Sequence, residues 1–322
     1  MPTAHENTPA PDRAQEAAAS QPWPSVGVVV PTRDRPELLR RALAAVEAQT
    51  YPGALEVVVV HDGAPLDTSL VRHGPRPVRV VSNERTPGLA GARNTGIMSL
   101  GTDLVAFCDD DDHWMPDKLT TQVRRALAPD RPEMVTCSIT VDYDGRRNVR
   151  RAGRAEVTHA ELTRSIMTML HSSCMLFDRT ALVERIGLVE EDLPGSQNED
   201  WDLKLRASRR RPIAHVDEPL TVVDWGRPSH YAREWDTKIS SWEWMLAHHP
   251  EIARDRRGAA RVHGQLAFAE AARGHRRDAL RWAGRALRSN PLQWRAALAL
   301  AVVCGLSPDR VLDVLHRFGR GV

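Results

Sequence analysis

Short apolar runs, separated by polar turns bearing proline and glycine, dominate residues 26–130. Val26 to Val30 and Leu104 to Cys108 are continuously apolar, and Leu55 to Val60 and Val78 to Val81 are each interrupted by one charge, Glu56 and Arg79. Runs of this length and character predict strands buried on both faces of a sheet. Between the first two, Leu38, Leu39, Ala42, Leu43 and Val46 recur at helical spacing. Pro36 falls in the first turn of that helix, where its missing N–H costs nothing, and Asp34 is the expected cap. Gly88 to Leu100 reads as a glycine-rich entry into a helix stopped by Gly101, and Met115-Pro116-Asp117 opens another. Strand–helix alternation of this kind predicts an α/β fold with a mostly parallel sheet and right-handed crossovers.

The pattern loosens from about residue 133. Met134 to Val141 alternates like a strand, Tyr143-Asp144-Gly145 signals a hairpin, and Ser172 to Phe177 is another apolar run. The polar stretch Gly195 to Asp200 feeds a helix over Trp201 to Ala207, and Pro212 to Val216 and Leu220 to Val223 predict two edge strands. From about Arg233 the chain reads as helical throughout. Residues 260–293 match one tetratricopeptide-like repeat, with Leu266, Ala267, Gly274, Ala279, Ala286 and Pro291 at the expected offsets. A single repeat cannot bury its own face. It must pack on the rest of the chain, on Ala296 to Val303, or on another subunit, either as a plain helical cap or as a docking platform. Residues 1–24, rich in Ala, Pro, Ser and Gln, predict a disordered lead-in. The expected division is therefore 25–230, with halves 25–130 and 131–230, followed by a helical extension over 231–322.

Composition narrows the function classes. With 322 residues and 42% hydrophobic content the chain can bury a large core, and a formal charge of +2 gives no reason to expect a nucleic-acid partner. Only three of 44 basic residues are lysines, a bias that reads as genome composition rather than a binding device. Cys108, Cys137, Cys174 and Cys304 form no CxxC pair and read as reduced thiols of a cytoplasmic protein. No apolar signal core opens the sequence, and Ala296 to Leu306 is too short to cross a bilayer. Contact with a membrane surface remains open.

The chemistry concentrates where the Leu104 to Cys108 run ends in four aspartates, Asp109 to Asp112. Adjacent unit charges about 4 Å apart repel by roughly 4 kcal/mol at an effective dielectric near 20. Held at the mouth of a sheet, such a cluster calls for a cation, and oxygen ligands suit Mg²⁺ or Mn²⁺. The loops after Val30 and Val60 also carry aspartates, Asp34 and Asp62. Ligands of open α/β sheets bind at these carboxyl ends. A metal site for a phosphorylated substrate follows; the plain alternative is a solvated acidic turn.

Five segments, VVVPTRDRPELLRRAL, QTYPGALEVVVVHDG, NERTPGLAGARNTGI, FCDDDDHWMPDKL and NEDWDLKLR, occur in this order between Ser25 and Trp225. Together they resemble the family 2 glycosyltransferases. The resemblance implies a GT-A fold (Rossmann-like, with helices on both faces of a mostly parallel sheet) plus a C-terminal α-helical extension. It implies inverting, metal-dependent transfer of a sugar from a nucleoside-diphosphate donor, a UDP-sugar first, to a hydroxyl of a carbohydrate, lipid-linked glycan, natural product or peptide. Pro31, Thr32, Arg33 and Asp62 would line the base pocket, and Arg93 and Asn94 would approach the donor diphosphate. Asp109 and Asp111 match the outer members of the DxD motif. Asp111 would take Mn²⁺ or Mg²⁺ with Asp109, and Asp109 or Asp110 would lie nearer the ribose. Asp200 matches the base that deprotonates the acceptor, with Glu199 beside it.

The pattern departs from the family at His61, where a second aspartate is common. It departs again at His230, a displaced candidate for a metal- or phosphate-binding histidine. His171 is a further candidate near the acceptor. Trp114 and Trp201 adjoin the metal and base motifs, as sugar platforms or as packing. Trp225, Trp235, Trp242 and Trp244 form either an acceptor wall or the seam to the helical extension. Arg206, Arg209, Arg210 and Arg211 would meet a lipid phosphate or an anionic membrane, or simply end a helix in solvent. The extension leaves room for a homo-oligomer. A sugar nucleotidyltransferase and a catalytically inactive binding module are the competing functions.

Overall fold

The computed structural model describes residues 22–143, 145–225 and 234–317. The predicted apolar runs form β1 (Val26–Thr32), β2 (Leu55–His61), β3 (Val78–Ser82) and β4 (Leu104–Phe107), joined by α1 (Pro36–Glu47) and, before β4, α2 (Leu89–Ser99). A short β5 (His113–Trp114), α3 (Lys118–Ala126), β6 (Met134–Tyr143), β7 (Arg146–Arg150) and β8 (Glu156–Val157) follow. Then come α4 (His159–Arg164), β9 (Leu176–Asp178), α5 (Glu199–Arg210) and β10 (Ile213–Asp224). The ten strands make one sheet in the order β3-β2-β1-β4-β9-β6-β10-β5, with β7 paired to β6 and β8 to β10. β3, β2, β1 and β4 are mutually parallel, whereas β9 runs antiparallel to both β4 and β6.

Period-two alternation divides the core. Val26, Val28 and Val30 of β1 and Val57 and Val59 of β2 pack with Leu39, Leu43, Leu119 and Val123 from α1 and α3. Val29, Val58 and Val60 face the other way, with Ala90, Ala92 and Ile97 of α2 and Leu203 and Leu205 of α5. Both faces of these strands are therefore covered, which is why apolar residues run through their centres, with Glu56 half-buried near the start of β2. Gly96 lets α2 sit directly on β1, since a Cβ there would strike the Val29 side chain.

Two expectations are corrected. Pro212 to Val216 and Leu220 to Val223 are not separate edge strands but parts of β10, which lies between β6 and β5. The register with β6 shifts on either side of Pro219, so the residue that cannot donate to the ladder sits at a bulge. Asp34 does not cap α1. It adopts a positive φ of 53°, and Arg35 occupies the cap position without a side-chain hydrogen bond.

The C-terminal part folds as α6 (Trp235–His248), α7 (Pro250–Arg254), α8 (Arg256–Ala272), α9 (Arg276–Ser289), α10 (Trp294–Val303) and α11 (Pro308–Arg317). Gly274, at φ 82°, turns the chain between α8 and α9, and Ala279 and Ala286 are 1% and 0% exposed. These helices share one apolar cluster with α2, α5 and the sheet. Trp242 of α6 meets Trp201 of α5 edge-on at 5.8 Å, and Trp235 meets Phe268 of α8 at 5.9 Å. The seam reading therefore holds for Trp235 and Trp242. Trp225 instead lies under the Arg150 guanidinium at 4.3 Å. Trp242→Ala should cost roughly 3–5 kcal/mol through the cavity it leaves. A denaturant midpoint within error of the parent would show that the seam carries no such stability.

Candidate active site

The four aspartates occupy the turn between β4, in the middle of the sheet, and β5, paired to β10. Each carboxylate has a different environment. Asp109 accepts from Arg93 Nη2 at 2.7 Å and from Ser172 Oγ at 2.7 Å, while its N–H donates to Ser173 Oγ at 2.9 Å. Asp110 accepts from Thr32 Oγ1 at 2.7 Å and pairs with Arg35 at 3.2 Å. Asp111 pairs with the same Arg35 nitrogen at 2.8 Å and is the more open of the two. Asp112, 3% exposed, has Oδ2 3.2 Å from His171 Nδ1 without hydrogen-bond geometry, so this buried oxygen accepts no hydrogen bond.

Arg93, 1% exposed, reaches two separate loops. Nη2 holds Asp109 and Nη1 holds Glu199 Oε1 at 2.5 Å. α2, which carries Arg93, is itself fixed at its start by Asp62. The Asp62 carboxylate accepts the Gly88 N–H at 3.0 Å and the Asn83 amide at 2.8 Å. Beside Asp62, His61 is buried and its Nε2 has no hydrogen-bond partner. Asn94 is spent on the segment after Gly187: its amide donates to Val189 O and Glu191, and its oxygen accepts from the Val189 N–H. Asp200 Oδ2 accepts from Lys204 Nζ at 2.8 Å, one helical turn on in α5, and Lys204 also donates to Leu170 O at 3.1 Å.

Burial and charge act in opposite directions here. Burial pushes Asp111 upward and its neighbours Asp112, Asp109 and Asp110 add to this, bringing it to about 7. Burial also raises Asp109, but Arg93, His171 and the Ser172 hydrogen bond outweigh it and leave the carboxyl below its ordinary value. Asp200 follows the same pattern, with Lys204 as the main opposing charge. Asp200 is thus a carboxylate held in its ionised form despite its burial. Burial raises Glu199 and Arg93 only partly offsets it. Burial would lower His171, yet Asp112, Asp109 and Asp200 together raise it to about 9, the same negative field that would favour a cation on its nitrogen.

Asp109, Asp112 and His171 present ligand atoms within 4.8 Å of one another. Six carboxylates, Asp109 to Asp112, Glu199 and Asp200, face three fixed cations, Arg35, Arg93 and Lys204, and one histidine, His171, whose nitrogen carries either a proton or a metal. The negative surplus favours a divalent cation, which would displace the His171 proton, and the Asp112 oxygen without a hydrogen bond offers it a ligand. Two carboxylate oxygens and one imidazole nitrogen suit Mn²⁺ and, less closely, Mg²⁺. The residues present therefore fit the expected metal, with Asp112 and His171 beside Asp109 and Asp111 near the rim.

Several predicted residues stand apart from this cluster. Pro31 is buried in β1, and Arg33 is exposed. Trp114 and Trp201 are 1% and 0% exposed, and their indole N–H groups donate to Ser173 O and Leu162 O. Neither offers a face to a sugar; both are core. His230 lies outside the described residues. Arg35, Ser172, Ser173 and Lys204 escaped the sequence reading. Only Lys204 left a signal, its i,i+4 spacing from Asp200. Arg206, Arg209 and Arg210 pair with Asp202, Glu251 and Glu133, and Arg211 donates to Asp130 O and Arg131 O, so this run is committed within the chain.

A parallel half-sheet with acidic loops at its carboxyl ends, extended by antiparallel strands, is the layout of a GT-A fold. Residues 27–185 match the model of glycosyl transferase family 2, and the chain carries a domain of that family. The amylovoran biosynthesis glycosyltransferase AmsE of Erwinia amylovora is 27% identical over 211 residues, 63% of this chain and 76% of that one. Of two other curated relatives the chain spans only 34% and 41% of the length. Among solved structures, S. aureus TarS 1-349 in complex with UDP-GlcNAc superposes with a TM-score of 0.59 at 16% identity, over 92% of each chain. The mannosyltransferase PcManGT of Pyrobaculum calidifontis, in complex with GDP-Man and Mn²⁺, gives 0.53 at 20% identity, over 94% of this chain and 85% of that one. At these identities the structural likeness speaks for the fold.

Arg93→Ala leaves Asp109 and Glu199 buried without their partner and should cost roughly 3–5 kcal/mol. Arg93→Met combined with Glu199→Gln should recover part of that loss in denaturant unfolding, and no recovery would mean that charge is not what Arg93 supplies. Burial opposes ionisation of Glu191, but hydrogen bonds from Asn94, Arg85 and Thr86 hold it at about 2. A depressed carboxylate contributes stability above its unfolded value of about 4.3, and that stability is lost as pH falls toward 2. Glu191→Gln should therefore remove about 1 to 2 kcal/mol at pH 7, solvent screening at this half-buried site reducing what the full shift would give, and flatten the decline of stability below pH 4, as read from melts across that window.

Proposed function

We propose that this chain transfers a sugar from a nucleoside-diphosphate donor to an acceptor hydroxyl with inversion, and that it depends on Mn²⁺ or Mg²⁺. The observation that carries the proposal is the joining of Asp109, Glu199 and the start of α5 by one buried arginine, with the ionised Asp200 next in sequence. Inversion needs one in-line attack, and an ionised carboxylate at the acceptor side suits it. Asp200 accepts the acceptor's hydroxyl proton, and Lys204 holds it in the ionised form and fixes its rotamer. Asp62, with the unpartnered His61 Nε2 beside it, would read the donor base. Arg35, shared by Asp110 and Asp111, is the cation that would meet the diphosphate. Asp109, Asp112 and His171, with Asp111, would hold the metal, whose charge stabilises the departing diphosphate.

UDP-GlcNAc and GDP-Man in the two structural relatives support a nucleotide-sugar donor. UDP-sugars are the first choice to test. The acceptor is a carbohydrate, lipid-linked glycan, natural product or peptide. We assign catalysis to residues 25–230 and an accessory role to 231–322.

A donor screen with Mn²⁺, scored by nucleoside diphosphate release, tests the reading. Asp200→Asn should lower turnover 10²–10⁴-fold while retaining donor binding, and Asp111→Asn should weaken Mn²⁺-dependent nucleotide binding in calorimetry. Pyrophosphate as the product would favour nucleotidyl transfer. Full activity in both variants would overturn the assignment, and no nucleotide binding at all would favour an inactive binding module.

A further inference from the structure

The helical extension contains charges that no carboxylate among the described residues balances. Arg206, Arg209 and Arg210 each find a carboxylate, as do Arg35 and Arg93 in the acidic site. Arg261 of α8 and Arg295 of α10 do not. Arg295 is 8% exposed, and the Nε atoms of both are buried without a hydrogen-bond partner. Neither guanidinium meets a carboxylate or a carbonyl among the described residues. Arg295 has only the face of Trp294, 4.2 Å from its Cζ. Arg261 is half-buried and Arg295 buried, and in each the Nε is sealed from water without a partner, so the pair within one small helical unit favours an anion at the outer guanidinium nitrogens.

The two arginines share the seam between α8 and α10. Gly264 admits the Arg295 Cβ, which would lie 3.0 Å from a Cβ at that position, and Arg261 precedes Gly264 by one turn. Burial pushes the Arg295 guanidinium down to about 9 and the positive charge of Arg261 adds to it, whereas burial alone lowers Arg261 to about 10. No acidic side chain acts in the opposite sense on either. Two planar forks that repel each other match a tetrahedral dianion with several oxygens; a single carboxylate would leave one of them uncompensated.

We propose that Arg261 and Arg295 form a site on the helical extension for a phosphate-class oxyanion, free or carried on a lipid headgroup. The site shares no residue with the acidic cluster and does not depend on the glycosyltransferase reading.

Thermal unfolding of the full chain at fixed ionic strength, with inorganic phosphate replacing chloride, tests it. The parent should show a saturable rise of about 4 °C at a hundred times the dissociation constant. Arg261→Met with Arg295→Met should abolish that rise while melting at or above the parent in chloride, because an uncompensated charge has been removed. A rise that survives in the double variant belongs to the donor site and overturns the proposal. So does a parent that responds to neither phosphate nor vesicles. If the methionine variant does not fold, Arg261→Lys with Arg295→Lys keeps charge but loses the forks. It should raise half-saturation by phosphate at least tenfold, and an unchanged value would overturn the site. Sedimentation with phosphatidic acid vesicles, against phosphatidylcholine, separates the two sources. Pelleting lost in the double variant assigns a lipid-borne phosphate. Pelleting absent or unaltered, with the free-phosphate response lost, assigns the free anion.

Discussion

The guanidinium of Arg93 sets the geometry on which the site depends. It is almost fully buried and binds the end of β4 through Asp109 and the start of α5 through Glu199. Removing such a charge from water is costly, and the cost is offset only when both carboxylates are present and well placed. The same requirement couples the loops. α2 carries Arg93 into the core and is pinned at Gly88 by Asp62, so the end of β2, the acidic turn and the entrance of α5 cannot shift independently. The proposed base is the residue after Glu199, and its position inherits this coupling.

Charge within the cluster is uneven, and the unevenness has chemical consequences. Hydrogen bonds and nearby cations keep Asp109 and Asp200 ionised, whereas burial among like charges lifts Asp111 to about 7. Neighbouring carboxylates on one turn thus acquire different tasks from their surroundings alone. His171 lies in the interior of the cluster beside Asp112 and Asp109, with Asp200 within electrostatic range, so a proton or a metal on its ring nitrogen meets the same negative field. It comes from the segment leading into β9, a strand antiparallel to β4, so the acidic turn and its counter-charge enter from opposite directions.

The helical extension contributes to this arrangement through packing. Trp201 follows Glu199 and Asp200 on α5, and its indole is wedged between the Leu162 carbonyl and Trp242 of α6. Gly258 allows α8 to approach the Thr163 carbonyl of α4 closely, since a Cβ there would lie 2.5 Å from that oxygen. One apolar cluster therefore extends from β1 to α11, and the helix that presents Asp200 is fastened from both sides.

The sequence by itself determined the strands of the parallel half, the placement of acidic residues at their carboxyl ends, the helix behind Asn198-Glu199-Asp200 and the helical C-terminus. These follow from local pattern: unbroken apolar runs require cover on both faces, and a polar turn after such a run lies at the sheet's rim. Tertiary structure alone decided which aspartate meets which cation. Arg35, Ser172 and His171 lie between 59 residues (His171 to Asp112) and 76 residues (Arg35 to Asp111) along the chain from their acidic partners. Local periodicity carries no information about such contacts. The same holds for Trp114 and Trp201, whose neighbours in sequence are catalytic candidates but whose rings the fold buries completely. It holds for β10 as well, where Pro219 reads as a strand break until the bulge beside β6 absorbs it. Burial, pairing and the sign of each charge shift are properties of the assembled core, because each depends on groups that the chain brings together only by folding.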